Sequence, residues 1–129
     1  THVKAEQVAR EVNAVTLLAM MIESPQAVEN AHAIAAVDGV DVLFVGVNDL
    51  AQEMGLGGQL DHPRVMQACE RVAKSAAETG KFSGIGGIGD SALMRRYIGM
   101  GMQFILGGND FSFMMSAARE RAHLLRSDQ

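Results

Sequence analysis

The chain has 129 residues and a formal charge of −4, from 15 acidic and 11 basic side chains. That length suits one domain, and a mildly acidic balance with no run of either sign argues against nucleic acid or an anionic membrane as the main partner. A single cysteine excludes an internal disulfide and fits a reducing cytoplasm, and no apolar stretch reaches the roughly 20 residues that span a bilayer.

In chain order, Ala5, Val8, Ala9 and Val12 recur at helical spacing and predict an amphipathic helix over 3–13. An apolar run, 15–22, reads as a buried strand and ends at Glu23. Ser24-Pro25 opens a helix over 24–37, with serine as cap and proline where no N–H is needed, and its small face is Ala27, Ala31, Ile34 and Ala35. Asp38-Gly39 turns the chain into a second strand, 40–46. Residues 51–60, with Gly55, Gly57 and Gly58, read as a rim loop. Asp61-His62-Pro63 starts a helix with Val65, Met66, Cys69, Val72, Ala73 and Ala76 on one stripe, ending at Gly80. A third strand over 81–86 leads to a helix capped by Asp90, with Leu93, Met94, Tyr97 and Ile98 inward. A fourth strand, 103–107, precedes a last helix capped by Asp110 or Ser112 and carrying Phe113, Met114, Ala117, Ala118, Arg121, Leu124 and Leu125.

The sum is α(βα)₄, at about 30 residues per unit, where eight units make a barrel of ~250 residues. The expected fold is therefore α/β of the (β/α)₈ TIM-barrel type. Residues 1–129 form one domain covering about the last four βα units, the C-terminal half. Such a half has two raw sheet edges, so it is expected to be part of a larger assembly.

Two carboxylates stand out. Glu23 and Asp49 each follow an apolar strand, and a short helical link makes those strands parallel, so both acids lie at the C-terminal rim. Neighbouring strands are roughly 5 Å apart, which brings both acids within reach of one ion. Hard divalent cations take oxygen ligands, and Mg²⁺ commonly uses only one or two carboxylates. The alternative is that Glu23 begins a loop and Asp49 caps a short helix at 50–54; pattern alone leaves both open. In Gly46-Val47-Asn48-Asp49-Leu50, a glycine at a strand end frees backbone amides to face an anion, or makes an ordinary turn. Gly84-Ile85-Gly86-Gly87-Ile88-Gly89 matches G-x-G-x-x-G, but its short strand is third in the chain, which favours a glycine-floored pocket rim over a dinucleotide site. His2, His32, His62 and His123 lack ligand spacing and read as structural, and Cys69 has no partner that would make it a nucleophile.

With these residues in place the chain resembles the HpcH/HpaI aldolases, metal-dependent (class II) pyruvate aldolases of the phosphoenolpyruvate/pyruvate-domain superfamily. The resemblance is carried by Met21 to Asn30, Asp38 to Asp41, Phe44 to Leu50, His62-Pro63, Gly80-Lys81 and Gly107 to Asp110. It implies that Glu23 and Asp49 bind a divalent ion (Mg, Mn or Co), and that the amides around Asn48 and Asp49, with Gly46 and Gly86 beside them, hold the pyruvate carboxylate. It further implies a carbon–carbon lyase that cleaves 4-hydroxy-2-oxo acids to pyruvate and an aldehyde through a metal-stabilised pyruvate enolate, without a Schiff-base lysine. The family's arginine and its histidine-centred acid/base are then expected upstream of Thr1. Met21 stands where glutamine is common, which implies a less polar aldehyde. Gly86 stands where a bulkier apolar residue is common, which implies a more open floor. The implied partners are pyruvate or another 2-oxo acid and an aldehyde, with a homo-oligomer or an N-terminal barrel half completing the assembly. A citryl- or malyl-CoA-type lyase is the rival within the superfamily, and a non-catalytic barrel fragment the rival outside it.

Overall fold

A computed structural model describes residues 4–126. Val3, at the start of the first predicted helix, and His2 lie outside them. The elements are α1 (Ala5–Val15), β1 (Ala19–Ile22), α2 (Pro25–Glu29), α3 (Ala31–Ala35), β2 (Val42–Gly46), α4 (Val47–Glu53), α5 (Pro63–Glu78), β3 (Phe82–Gly86), α6 (Ser91–Gly99), β4 (Phe104–Leu106) and α7 (Asp110–Arg126). The four strands form one parallel sheet in the order β1-β2-β3-β4, an open arc whose edges are β1 and β4.

One face of that arc carries the core. Ile22, Leu43, Val45 and Ile85 point to the helices and pack with Ala31, Ala35, Leu50, Val65, Cys69, Val72, Ala76 and Tyr97. Strand alternation sends Met21, Phe44, Gly84, Gly86, Phe104 and Leu106 to the opposite, concave face. Along it, Met21, Phe44, Gly84 and Phe104 form one cross-strand row, and Gly46, Gly86 and Leu106 the next.

Several boundaries differ from the sequence reading, each for a local reason. The first strand begins at Ala19 rather than Val15, because α1 runs on to Val15 and Thr16 Oγ1 donates to the Val12 carbonyl. Leu18 is tied to the next strand outside the ladder, its N–H donating to Asp41 Oδ2 at 2.8 Å. The helix expected over 24–37 is two short helices, since the chain breaks at Asn30, with φ −90° and ψ 3°. The rim loop expected from 51 starts later: Val47–Glu53 is helical, with Leu50 and Ala51 buried. Within the Asp61-His62-Pro63 start, His62 is the residue that caps α5, its Nδ1 accepting from the Arg64 N–H. The cap of α7 is neither Asp110 nor Ser112 but Asn109, whose Oδ1 accepts from the Ser112 N–H while Ser112 Oγ accepts from the Asn109 N–H. This is a reciprocal capping box with serine in the place of glutamate.

The outer helices are covered unevenly, and the inward stripe of α6 is corrected at one position. No residue of α1 or α7 is buried, and Phe113, Met114, Leu124 and Leu125 are all at least 60%, 61%, 56% and 63% exposed. In α6, Leu93 and Met94 pack on the core and Tyr97 is fully buried, but Ile98 is exposed. Among the described residues, no helix is long and apolar enough to cross a membrane.

Cys69 and Tyr97 make a buried pair behind the sheet, and Tyr97 Oη donates to the Leu60 carbonyl. Burial pushes the Cys69 thiol from its ordinary 9.0 up to about 12, with the Tyr97 hydroxyl pulling weakly the other way. The Tyr97 phenol is also raised, by burial first and then by Cys69 beside it. Both groups hold their protons more tightly folded than unfolded. Their stabilising effect is complete below the unfolded thiol's pKa and is lost as pH rises through 9.0 towards about 12. Urea midpoints are expected to fall from about pH 8 to about pH 10, with a shallower fall in Cys69→Ala.

Candidate metal and substrate site

Glu23 is the first residue past β1. By alternation it shares the concave face with Met21, and it stands beside Gly46 at the end of β2. A Cβ on Gly46 would lie 2.5 Å from Glu23 Oε1 and 2.8 Å from Glu23 Cγ. Glycine at 46 therefore makes room for the carboxylate. That is a steric role rather than the amide-freeing one read from sequence.

Asp49 is reached differently. Gly46 is the N-terminal boundary of α4, with no side chain capping the first turn, and Asp49 is the third helical residue. An acid there suits the helix dipole, and it leaves the first-turn amides of 47–49 without a capping side chain. Glu23 and Asp49 line the same small cleft, of about 180 Å³, with Asn48, Val47 and the backbone of Gly86 and Gly87. Met21, Phe44 and Leu106 give it an apolar wall. This volume lies below the 300–1,000 Å³ of sites for drug-sized ligands and suits a small acid.

The donor chemistry fits a hard cation. Both side chains offer carboxylate oxygens, and no cysteine or histidine lines the cleft, Met21 supplying its one sulfur. Among the described residues no group of three or more His, Cys, Asp or Glu gathers at one point. Two carboxylates are what Mg²⁺-type sites commonly take from protein, the remaining positions going to water and substrate. Gly46→Ala is expected to push the Glu23 carboxylate aside and weaken Mn²⁺ binding about tenfold, as loss of a ligand's support does. Calorimetry against the wild type would read this, and an unchanged affinity would show that Glu23 has room elsewhere.

The glycine reading needs one correction, at Gly86. Gly86 does not open the floor of the cleft, because its missing side chain is replaced by its neighbours: a Cβ would come within 2.9 Å of Leu106 Cβ and 3.0 Å of Phe44 Cζ. Gly84 through Gly89 also differs from a dinucleotide fingerprint. The N-terminus of α6 is taken by Asp90, whose Oδ1 accepts from the Leu93 N–H at 2.6 Å, so a pyrophosphate would meet a carboxylate. Gly87, Gly89, Gly107 and Gly108 instead line a rim cavity of about 450 Å³ beside the cleft. Of the histidines, His62 serves as a cap, and neither His32 nor His123 lines the cleft.

Sequence reasoning missed Phe44 and Leu106 as lining residues, and Gly87 as the partner of Asn48. The signal was present for the first two, because period-2 alternation places Phe44 and Leu106 on the strand face opposite Val45 and Ile105. Gly87 carried no comparable signal, since its part depends on a carbonyl that Asn48 finds 39 positions away.

The profile of the HpcH/HpaI aldolase/citrate lyase family matches residues 2–117. The chain is 39% identical over 118 residues to a 5-keto-4-deoxy-D-glucarate aldolase of Shigella dysenteriae, covering 92% of this chain and 45% of that protein. It is 38% identical over 109 residues to a hydroxypyruvate/pyruvate aldolase of Cupriavidus necator, covering 84% of this chain and 40% of that protein. A crystal structure of an HpcH/HpaI aldolase/citrate lyase family protein from Burkholderia cenocepacia superposes with a TM-score of 0.81 at 35% identity, covering 91% of this chain and 45% of that one. The chain thus spans about half the length, or less, of the curated relatives it matches. Its four parallel βα units are part of the (β/α) barrel those proteins share, and the chain belongs to the HpcH/HpaI aldolase/citrate lyase family.

Proposed function

We propose that this chain carries the metal- and pyruvate-binding part of a class II pyruvate aldolase, a carbon–carbon lyase acting on 4-hydroxy-2-oxo acids. The observation that carries the reading is that Glu23, just past β1, and Asp49, in the first turn of α4 after the neighbouring parallel strand β2, line one cleft. Glu23 and Asp49 hold a divalent ion, Mg²⁺, Mn²⁺ or Co²⁺. When bound, the ion supplies a Lewis acid for the negative charge that develops on the keto oxygen as the carbon–carbon bond breaks. The first-turn amides at Asn48 and Asp49 orient the pyruvate carboxylate, beside Gly46, which makes room for Glu23, and the backbone of Gly86. Met21, Phe44 and Leu106 exclude water on one side and favour an aldehyde of low polarity.

The barrel is closed by further βα units, from an N-terminal half or from copies in a homo-oligomer, which also bring the acid/base and the arginine. The uncovered β1 and β4 edges and the exposed Met21, Phe104 and Leu106 support this assembly. The setting is cytoplasmic, in line with a lone buried thiol.

The test is aldol cleavage of a 4-hydroxy-2-oxo acid, with pyruvate release followed by lactate dehydrogenase, for the chain alone and joined to an N-terminal barrel half. Pyruvate release that needs Mg²⁺, Mn²⁺ or Co²⁺ and stops with chelator supports the reading. No release with any of the three ions, even in the joined protein, would refute it. Cleavage of a citryl- or malyl-CoA thioester in preference to the free acid would favour the CoA-lyase alternative.

A further inference from the structure

Asn48 contributes more than a backbone amide. Its side-chain Nδ2 donates to the carbonyl of Gly87 at 2.9 Å, joining the turn between β2 and α4 to the link between β3 and α6. Residues 87–89 belong to no helix or strand, so this bond ties down a stretch that regular structure does not hold. Gly87 is suited to it twice over. Its φ of +82° is left-handed backbone, and a Cβ there would run into the Asn48 carboxamide. Asn48, Gly86 and Gly87 all line the cleft that holds Glu23 and Asp49.

We propose that Asn48 is a positioning residue whose carboxamide clamps the Gly86–Gly87 rim against the turn bearing Asp49 and so fixes the width of the pyruvate site. The Gly87 carbonyl is engaged by this bond, so it is not left as a free acceptor beside the cleft, where it would repel an incoming carboxylate. Only a donor does this at that distance: aspartate has the same shape but would set an anion against the carbonyl. Among the described residues Asn48 makes no hydrogen bond to Glu23 or Asp49, so the clamp acts on the substrate side of the site and not on the ion. The assignment rests on the pyruvate-binding reading for its consequence, though not for the clamp itself.

Asn48→Ala and Asn48→Asp separate these parts, because both keep the backbone amide and lose the donor. Both are expected to speed amide exchange at Gly87–Gly89, measured by NMR without any ligand. Both should weaken pyruvate binding to the Mn²⁺-loaded protein by at least about threefold to tenfold, the range one exposed hydrogen bond commands, with Mn²⁺ affinity unchanged in Asn48→Ala, which adds no charge. Unchanged exchange at Gly87–Gly89 in both variants would overturn the clamp. A parallel loss of Mn²⁺ affinity in Asn48→Ala would overturn its separation from the metal. If wild-type protein loaded with Mn²⁺ binds no pyruvate, the proposed function fails, and the exchange data still decide the clamp.

Discussion

Glu23→Ala and Asp49→Ala are each expected to weaken Mn²⁺ binding by about 100-fold or more while leaving the fold intact. Loss of a group that merely supports a ligand costs about 10- to 100-fold, so loss of one of two protein ligands sits at or beyond the top of that range. The fold should survive, since Asp49 is exposed, Glu23 is half-exposed, and neither belongs to the packed face of the sheet. Neither side chain appears in a hydrogen bond or ion pair that the backbone depends on; Ser24, not Glu23, caps α2. Circular dichroism should match the wild type, and calorimetry should show metal binding gone. If either variant keeps wild-type Mn²⁺ affinity, the ligand assignment is wrong. If both variants unfold, the carboxylates have a structural part that their exposure does not suggest.

Gly84→Ala is expected to be the most damaging small substitution on the concave face. A Cβ at 84 would sit 2.6 Å from the Phe104 carbonyl oxygen and 2.8 Å from Phe44 Cδ2. The ring can rotate away, but the carbonyl belongs to β4, whose Phe104 is register-paired with Gly84. Relief requires shifting an edge strand only three residues long, Phe104–Leu106. Overpacking of this kind costs about 1–3 kcal/mol. Phe44 and Phe104 meet edge to face at 6.0 Å, so displacing either ring also disturbs the wall of the cleft. Gly99→Ala is the control. That glycine ends α6 with nothing within 4 Å of its would-be Cβ, and alanine there should be neutral or stabilising by up to about 1 kcal/mol. Urea denaturation of the two variants reads the difference, and equal midpoints would mean that the β3–β4 pairing is looser than its geometry.

The βα alternation was legible because each strand is short, apolar and bounded by a cap or a glycine. Glu23 and Asp49 were legible as a pair because parallel strands put their ends on one rim, and β1 and β2 are indeed neighbours. Element interiors came out well where packing decides them: Val65, Cys69, Val72, Ala73 and Ala76 are all buried, as their spacing requires. What failed was set by contacts distant in sequence. The break at Asn30 has no local breaker such as glycine or proline, and the helix that begins at Val47 starts directly from a strand, with no capping side chain to announce it. Amphipathic stripes on α1 and α7 were real as patterns, but a pattern says that a face is apolar and not what covers it. Gly46 was singled out for a backbone reason and Gly86 for an open floor, whereas the space they leave is used by Glu23 and by Phe44 with Leu106.

The most direct test of a shared ion at the strand ends is an electron paramagnetic resonance titration of the wild-type chain with Mn²⁺, followed by pyruvate. One tight Mn²⁺ per chain is expected, with a spectrum that changes when pyruvate is added. Absence of tight Mn²⁺ binding, or a bound-ion spectrum that pyruvate leaves unaltered, would contradict a pyruvate–metal site built on Glu23 and Asp49.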